Sequence, residues 1–395
     1  MTTTLKDELL AKPIGPATPP RTTDPDKDFT RRIEVNGDEA AVTVRGPADS
    51  VDEDAAAAYL RAQGLEPADW TATGFRSSEW TLPSGDTGLS TRFSFARRAA
   101  TERTYEIDEL LASIRSYEPP PARRESGDHT MVIALGDMQF GKIDGDGVEG
   151  TVKRTISCLN RAADLLATYR LRYDIGHVHI AWCGDHIEGF ESQGGANVWR
   201  TPLTLTEQIR LDRRVKLHAM LTFAPLVERL TMAAVPGNHG QAVRISGKGL
   251  TRYDDSHDTE SLIAVKDAAS LNPALFEHVE FFVPDTDELT VVVPCSGTVV
   301  AHAHGHQWRP GRHFDWWRGQ AFNRASAMHQ ADVLIAGHLH HEHVDTDGWR
   351  TFLQPPAMES ESTWWRHAKG TGGAPGLVVA VTKGGRVPVK EVVHA

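Results

Sequence analysis

Apolar runs of four to six residues recur through the C-terminal two thirds of the chain: Met131 to Leu135, Val178 to Cys183, Leu230 to Val235, Leu289 to Val293, Thr298 to His302, Val333 to Ala336 and Leu377 to Val381. Each has the length and β-rich content of a buried strand. Helical patterns lie between the first of them. Ile156, Leu159, Ala163 and Leu166 are spaced for one helix face, and a second helical stretch runs from Ile209 through Leu230 after a long loop. Strands alternating with helices predict an α/β domain. Nearer the N-terminus the pattern changes. Ala41-Val-Thr-Val-Arg45 alternates, a helix is expected from near Asp52 through Leu60 with Gly64 as its stop, and strand-like segments surround Trp80 and Phe93-Ser-Phe95. That segment reads as a small α+β domain, and no internal repeat is present.

These patterns divide the 395 residues into four parts. Residues 1–29 are rich in Pro, Thr, Asp and Lys, too poor in apolar positions to offset chain entropy, and read as a disordered tail. Residues 30–117 form the small domain. The proline run and charges of Glu118-Pro-Pro-Pro-Ala-Arg-Arg-Glu-Ser-Gly127 give the composition of a semi-rigid linker. Residues 128–395 hold the α/β domain.

Composition narrows the class. An apolar fraction of 40% with 24% charged residues is that of a globular protein, and no apolar run approaches the roughly 20 residues of a membrane span. No membrane association is expected. The opening Met1-Thr-Thr-Thr-Leu-Lys-Asp-Glu8 lacks the basic and apolar segments of a secretory signal. Cys158, Cys183 and Cys295 are odd in number and far apart, which suits a reducing cytoplasm rather than a disulfide framework. The net charge of −11 argues against a generic nucleic-acid-coating protein without excluding DNA as a substrate.

Four strand ends run directly into residues with ligand chemistry: Gly136-Asp-Met-Gln139, Gly184-Asp-His-Ile-Glu188, Gly237-Asn-His239 and Gly337-His-Leu-His340. Sites form where strands of open α/β sheets end, and glycine there lets ligand and backbone approach closely. Taken singly, a Gly-Asp after a strand is an ordinary turn and a Gly-Asn-His can be a left-handed turn. Four in order point to a metal site. Oxygen from Asp and Asn mixed with imidazole nitrogen suits divalent first-row ions.

The ordered set resembles the calcineurin-like metallophosphoesterase superfamily over about Asp128 to Ala395. Members show Asp-x-His, Gly-Asp-x-x-Asp/Glu, Gly-Asn-His-Asp/Glu, a lone His and Gly-His-x-His. Here these correspond to Asp137, to Asp185 and Glu188, to Asn238 and His239, to His304 of His302-Ala-His-Gly-His306, and to His338 and His340. The resemblance implies two β-sheets packed as a sandwich and flanked by helices. It implies two divalent ions, Mn2+ first, with Fe, Zn, Ni or Mg as alternatives. Asp185 would bridge them, Asp137 and His340 would hold the first, and Asn238, His304 and His338 the second. His239 would face the scissile phosphate, and water bridging the ions would act as the nucleophile. Two departures stand out. Gln139 replaces the first-motif histidine and would offer only an amide oxygen to the first ion. Gly240 replaces the acidic residue that follows His239.

Substrate clues lie beyond the ligands. Gln307-Trp-Arg-Pro-Gly-Arg312, Asp315-Trp-Trp-Arg318 and Ser362-Thr-Trp-Trp-Arg366 set Arg beside Trp, a combination that grips phosphate and stacks on bases. Trp308, Arg312, Trp316, Trp317, Arg318, Trp365 and Arg366 are therefore candidate substrate contacts, with core packing as the alternative for each tryptophan. Arg92, Arg97, Arg98 and Arg103 add a candidate phosphate-binding face in the small domain. These variants are similar to phosphoesterases of tailed bacteriophages and prophages, described as DNA-repair-type exonucleases. A DNA nuclease in the cytoplasm, the host's if the gene is phage-borne, is the reading this resemblance implies. A phosphatase or phosphodiesterase acting on small molecules or cyclic nucleotides, and a scaffold that binds DNA or a protein partner without cutting, remain open.

Overall fold

The computed structural model of the chain describes residues 31–36, 39–47, 53–81, 87–97, 106–115, 124–190, 201–245, 248–249, 251–323, 326–360 and 373–395. The tail expected over 1–29, most of the linker, Arg98, Arg103, Trp365 and Arg366 lie outside them. The chain separates into two compact units, Met1–Glu102 and Arg103–Ala395. In the first, β1 (Arg31–Asn36), β2 (Glu39–Pro47), β3 (Trp70–Thr81) and β4 (Thr87–Arg97) form an antiparallel sheet in the order β1-β2-β4-β3. Helix α1 (Glu53–Ala62) sets Ala56 and Leu60 against Val42, Val44, Phe93 and Phe95. This is the small α+β unit that the alternation predicts.

The second unit opens with helix α2 (Ile107–Arg115), which the sequence groups with the small domain. Leu110, Leu111 and Ile114 instead enter the core of the second unit. There β5 (His129–Leu135), α3 (Gly147–Tyr169), β6 (Ile175–Trp182), α4 (Leu205–Phe223) and β7 (Arg229–Ala234) alternate as expected. Helix α4 starts before Ile209 because Thr204 and Glu207 form a reciprocal capping box, and it stops at Phe223 because Pro225 follows. After α5 (His257–Ser270) come β8 (Val279–Phe282), β9 (Val291–Cys295), β10 (Thr298–His302), α6 (His313–Phe322), β11 (Val333–Ile335), β12 (His343–Asp347), β13 (Arg350–Gln354), β14 (Leu377–Lys383) and β15 (Arg386–Val393).

Among the described residues these strands make two sheets, one ordered β8-β7-β6-β5-β14-β15 and the other β9-β10-β11-β13-β12. Side-chain alternation explains how both faces are used. Met131, Ile133 and Leu135 of β5 face α2 to α5, while Val132 and Ala134 face Val300, Val333, Ile335 and Leu353 of the second sheet. The outer face of that sheet, through Ala301, Leu334 and Phe352, is covered by Trp317 of α6 and by Met328. The architecture is two sheets face to face, flanked by helices on both sides. No helix of the described residues is long and apolar enough to cross a membrane. Cys158, Cys183 and Cys295 are free and buried.

Candidate metal centre

Strands β5, β6 and β7 run parallel in one sheet, and β10 runs parallel to β11 in the other, so their C-terminal ends gather at one end of the sandwich. Asp137 and Gln139 follow β5, Asp185 follows β6, and Asn238 and His239 follow β7. His304 follows β10, and His338 and His340 follow β11. The structure brings the predicted ligands from both sheets together. Nε2 of His304 stands 3.0 Å from Asp185 Oδ2 and 3.2 Å from Asn238 Oδ1, and 3.2 Å from Nδ1 of His338. Nε2 of His340 stands 3.3 Å from Asp137 Oδ1, and the His338 amide donates to Asp137 Oδ2 at 2.9 Å.

The backbone carries strain at these positions. Asp137 (φ 50°), Gln139 (42°), Asp185 (52°), His338 (75°) and His340 (59°) all occupy the left-handed region. Each costs a non-glycine residue about 1–3 kcal/mol. Strain collected on three loops at one place aims side chains rather than packing a core. Glycine is required at Gly237, where a Cβ would sit 2.0 Å from Asp185 Oδ1.

Electrostatics and donor chemistry fit divalent ions. Asp137, Asp185 and His304 are buried, and Asp137 Oδ1 accepts no hydrogen bond. One ligand atom each from Asp185, His304 and His338 lies within 4.8 Å of the others. Burial disfavours every charge here, yet mutual attraction prevails. Asp185 is held well below the usual carboxylate range by His304 and His239, and Asp137 is lowered by His340. His304 is raised to about 9, chiefly by Asp185, and His340 to about 10 by Asp137 and Glu359. Burial and the neighbouring His304 push His338 down to about 4. Metal binding would therefore displace protons from His304 and His340.

His239 reaches the same cluster, with Nε2 3.9 Å from Asp185 Oδ2. Its orienting carboxylate, which Gly240 cannot supply, comes from Glu188, whose Oε2 lies 3.3 Å and whose backbone oxygen lies 3.1 Å from His239 Nδ1. Against burial, Asp185 and Glu188 raise His239 to about 9. A Cβ on Gly240 would lie 2.5 Å from Oδ2 of Asp258. That buried carboxylate accepts the amides of Asp185 (3.1 Å), His186 (3.0 Å) and Gly237 (2.8 Å), tying the β6 and β7 loops together. Beneath it, the buried Lys216 ammonium pairs with Asp212 and reaches His186 Nδ1 at 2.9 Å.

Gln139 has polar neighbours at both ends of its amide. Its Oε1 accepts from Lys142 Nζ at 3.2 Å, and its Nε2 lies 3.5 Å from His239 Nε2. Lys142 also pairs with Glu359 Oε2 at 3.0 Å, and Glu359 Oε1 lies 3.0 Å from His340 Nδ1. A local sign for Glu359 was available, since a polar residue follows β13 in Gln354-Pro-Pro-Ala-Met-Glu359. Lys142 and Asp258 carry no such sign, being brought in by loop and helix packing.

The three histidines of 302–306 separate. His304 joins the centre. His302 turns between the sheets to face His179, their Nε2 atoms 2.8 Å apart, and the His306 ring lies 5.4 Å from that of His304. The candidate substrate contacts also divide. Trp317, expected at a rim, is 1% exposed, donates Nε1–H to the Met328 carbonyl and packs on Phe314. Its place is the core, because α6 needs an apolar anchor on the second sheet. Trp308 and Trp316 are half-buried with ring centroids 4.5 Å apart. Arg312 pairs with Asp315 at 2.7 Å, and Arg318 pairs with Asp315 and Asp347. In the small unit Arg92 pairs with Glu34 at 2.9 Å.

No family model matches the chain, and no curated protein matches it. Among solved structures, it is similar to a novel archaeal phosphodiesterase at 12% identity and TM-score 0.32, covering 66% of this chain and 99% of that one. It is also similar to Vacuolar Protein Sorting 29 from Cryptosporidium parvum at 15% identity and TM-score 0.31, covering 68% and 98%. Vps29 from Entamoeba histolytica complexed with Zn2+ shows 13% identity and TM-score 0.30, covering 67% and 98%. At these identities and scores, the function has to be read from the chain's own residues.

Proposed function

We propose that the chain is a divalent-metal-dependent phosphoester hydrolase that acts on phosphodiesters, with DNA as its substrate. The observation that carries the reading is the convergence of Asp137, Asp185, Asn238, His304, His338 and His340 from two sheets onto one cluster, with Asp137, Asp185 and His304 buried and the other three half-buried. Asp137 and His340 would hold one ion, and Asn238, His304 and His338 the other, with Asp185 between them. Two such ions, Mn2+ being the one we assign first to this mixed oxygen and nitrogen set, would supply charge neutralisation at phosphoryl oxygens and would acidify water near neutral pH. His239 presents Nε2 to the same space while Glu188 fixes Nδ1, which suits it to hand a proton to the departing oxygen. Free buried cysteines support a reducing, cytoplasmic setting.

The half-buried Trp308 and Trp316, both in the segment that follows His304, support nucleic acid, as does the resemblance to phage and prophage enzymes. A small diester is the second reading, favoured by Asp315 and Asp347, which already engage the arginines that would grip a phosphate backbone. Labelled single- and double-stranded DNA, bis-p-nitrophenyl phosphate and a cyclic nucleotide, each incubated with the protein and Mn2+, decide between them. DNA cleavage that weakens in Trp316→Ala through a higher KM, with the chromogenic diester spared, supports the nuclease. Turnover of small diesters alone supports the second reading. No hydrolysis of any substrate would leave a binding scaffold.

A further inference from the structure

A second group of metal-type side chains lies outside the centre. His313 opens α6, and His343 and Asp345 stand two apart on β12, the edge strand of the second sheet, so both residues fall on one face of that strand. One ligand atom from each of the three lies within 4.8 Å of the others, and His313 Nε2 is 3.1 Å from Asp345 Oδ2. The His313 and His343 rings meet edge to face with centroids 5.1 Å apart. The His313 ring is fixed by stacking on Phe352 at 4.1 Å and 16°. Its side chain is 4% exposed, whereas that of Asp345 is 47% exposed, so the group is anchored inside and open on one side.

We propose that His313, His343 and Asp345 form a separate mononuclear site for a zinc-class divalent ion that fastens the start of α6 to β12. Two imidazoles and one carboxylate match the ligand chemistry of three-ligand zinc sites, with the fourth position left to water. Metal–ligand bonds of about 2.0–2.2 Å put the ligands of a tetrahedral ion about 3.4 Å apart. The His313–Asp345 pair, at 3.1 Å, is already near that spacing, and the three ligand atoms lie within 4.8 Å of one another. Sequence spacing also favours it: the i, i+2 pair on a strand supplies two ligands from rigid backbone, and the third comes from a ring held by Phe352. The consequence is local. Helix α6 carries Trp316, Trp317 and Arg318, so an ion here would order the segment that bears these side chains.

The test counts zinc by mass spectrometry in the full chain after chelator treatment and dialysis against Zn2+. The parent is expected to retain one more ion per chain than His343→Gln and Asp345→Asn. Asp185→Asn, which disrupts the centre, should still hold one zinc that disappears when His343→Gln is added. With Co2+ in that Asp185→Asn chain, a tetrahedral visible absorption band should appear and be lost with the same second change. Hydrogen exchange over 313–322 should slow at least tenfold on zinc addition in the Asp185→Asn chain and stay unchanged once His343→Gln is added. Equal zinc counts in the parent, His343→Gln and Asp345→Asn would overturn the proposal and leave a hydrogen-bonded trio. Because none of these readouts measures hydrolysis, a failure of the hydrolase reading stays distinguishable from a failure here. Asp345→Asn nearly preserves shape, so it remains informative if His343→Gln does not fold.

Discussion

Lys142 puts an ammonium 3.0 Å from Glu359 and 3.2 Å from Gln139, next to the pair that would hold the first ion, Asp137 and His340. A fixed cation there opposes a divalent ion, and Gln139 spends its oxygen on the lysine. Lys142→Met should therefore tighten binding of the first Mn2+ by about tenfold, or about 1.4 kcal/mol. Calorimetric titration checks this, and unchanged or weaker binding would remove Lys142 from the account. Asp137, Asp185, Asn238, His239, His338 and His340 were legible in the sequence because each follows a glycine at a strand end. Asp258 was not, because it reaches the site through space from α5, and Lys142 was not, because its partner Glu359 is far along the chain. Glu188 was visible as part of a motif, but its partnership with His239 was not. Trp317 shows the converse: a Trp-Arg pair in sequence says nothing about which of the two side chains faces the core.

At the scale of elements, most strands of the two sheets were readable as apolar runs, while β8, β12, β13 and β15 were not. β15 alternates exposed and half-buried positions and carries Arg386, Lys390 and Glu391, as an edge strand does. Helix α2 was not read as a helix, and its residues fell within the bounds of the small domain, whereas Leu110, Leu111 and Ile114 pack into the core of the second unit. Between the sheets, β6 and β10 bury a histidine network: His177 meets Thr130 and Thr231, and His179 meets Thr231 and His302. Burial lowers His177 to about 3 and His302 to about 4, and lowers His179 as well. The unfolded chain, with histidine near 6.5, binds more protons than the folded one between pH 6.5 and 4. Stability should then fall as pH falls through that window, by about 1.4 kcal/mol per unit for each such ring. His304 and His340, raised in the fold, contribute fully throughout it and add no slope of their own. Tm measured against pH should show a shallower decline in His302→Gln than in the parent. Parallel curves would mean that the network does not govern acid stability.

The whole molecule depends on two sheets ending at one place, each supplying part of a ligand set that neither holds alone. The hydrogen bond from the His338 amide to Asp137 and the contact of His304 with Asp185 join the sheets across that end. Chelation should therefore abolish hydrolysis and also lower Tm, with Mn2+ restoring both, since an ion that binds only the folded state stabilises it by mass action. Loss of activity without a shift in Tm would argue that no ion joins the sheets. The most direct test of the central claim is the bound Mn2+ content and bis-p-nitrophenyl phosphate turnover of Asp185→Asn measured beside the parent. A dinuclear centre sharing Asp185 predicts that the variant loses most of the bound manganese of the centre and at least a thousandfold in turnover while keeping its fold. A folded variant with the parent's manganese content and near-normal turnover would contradict it.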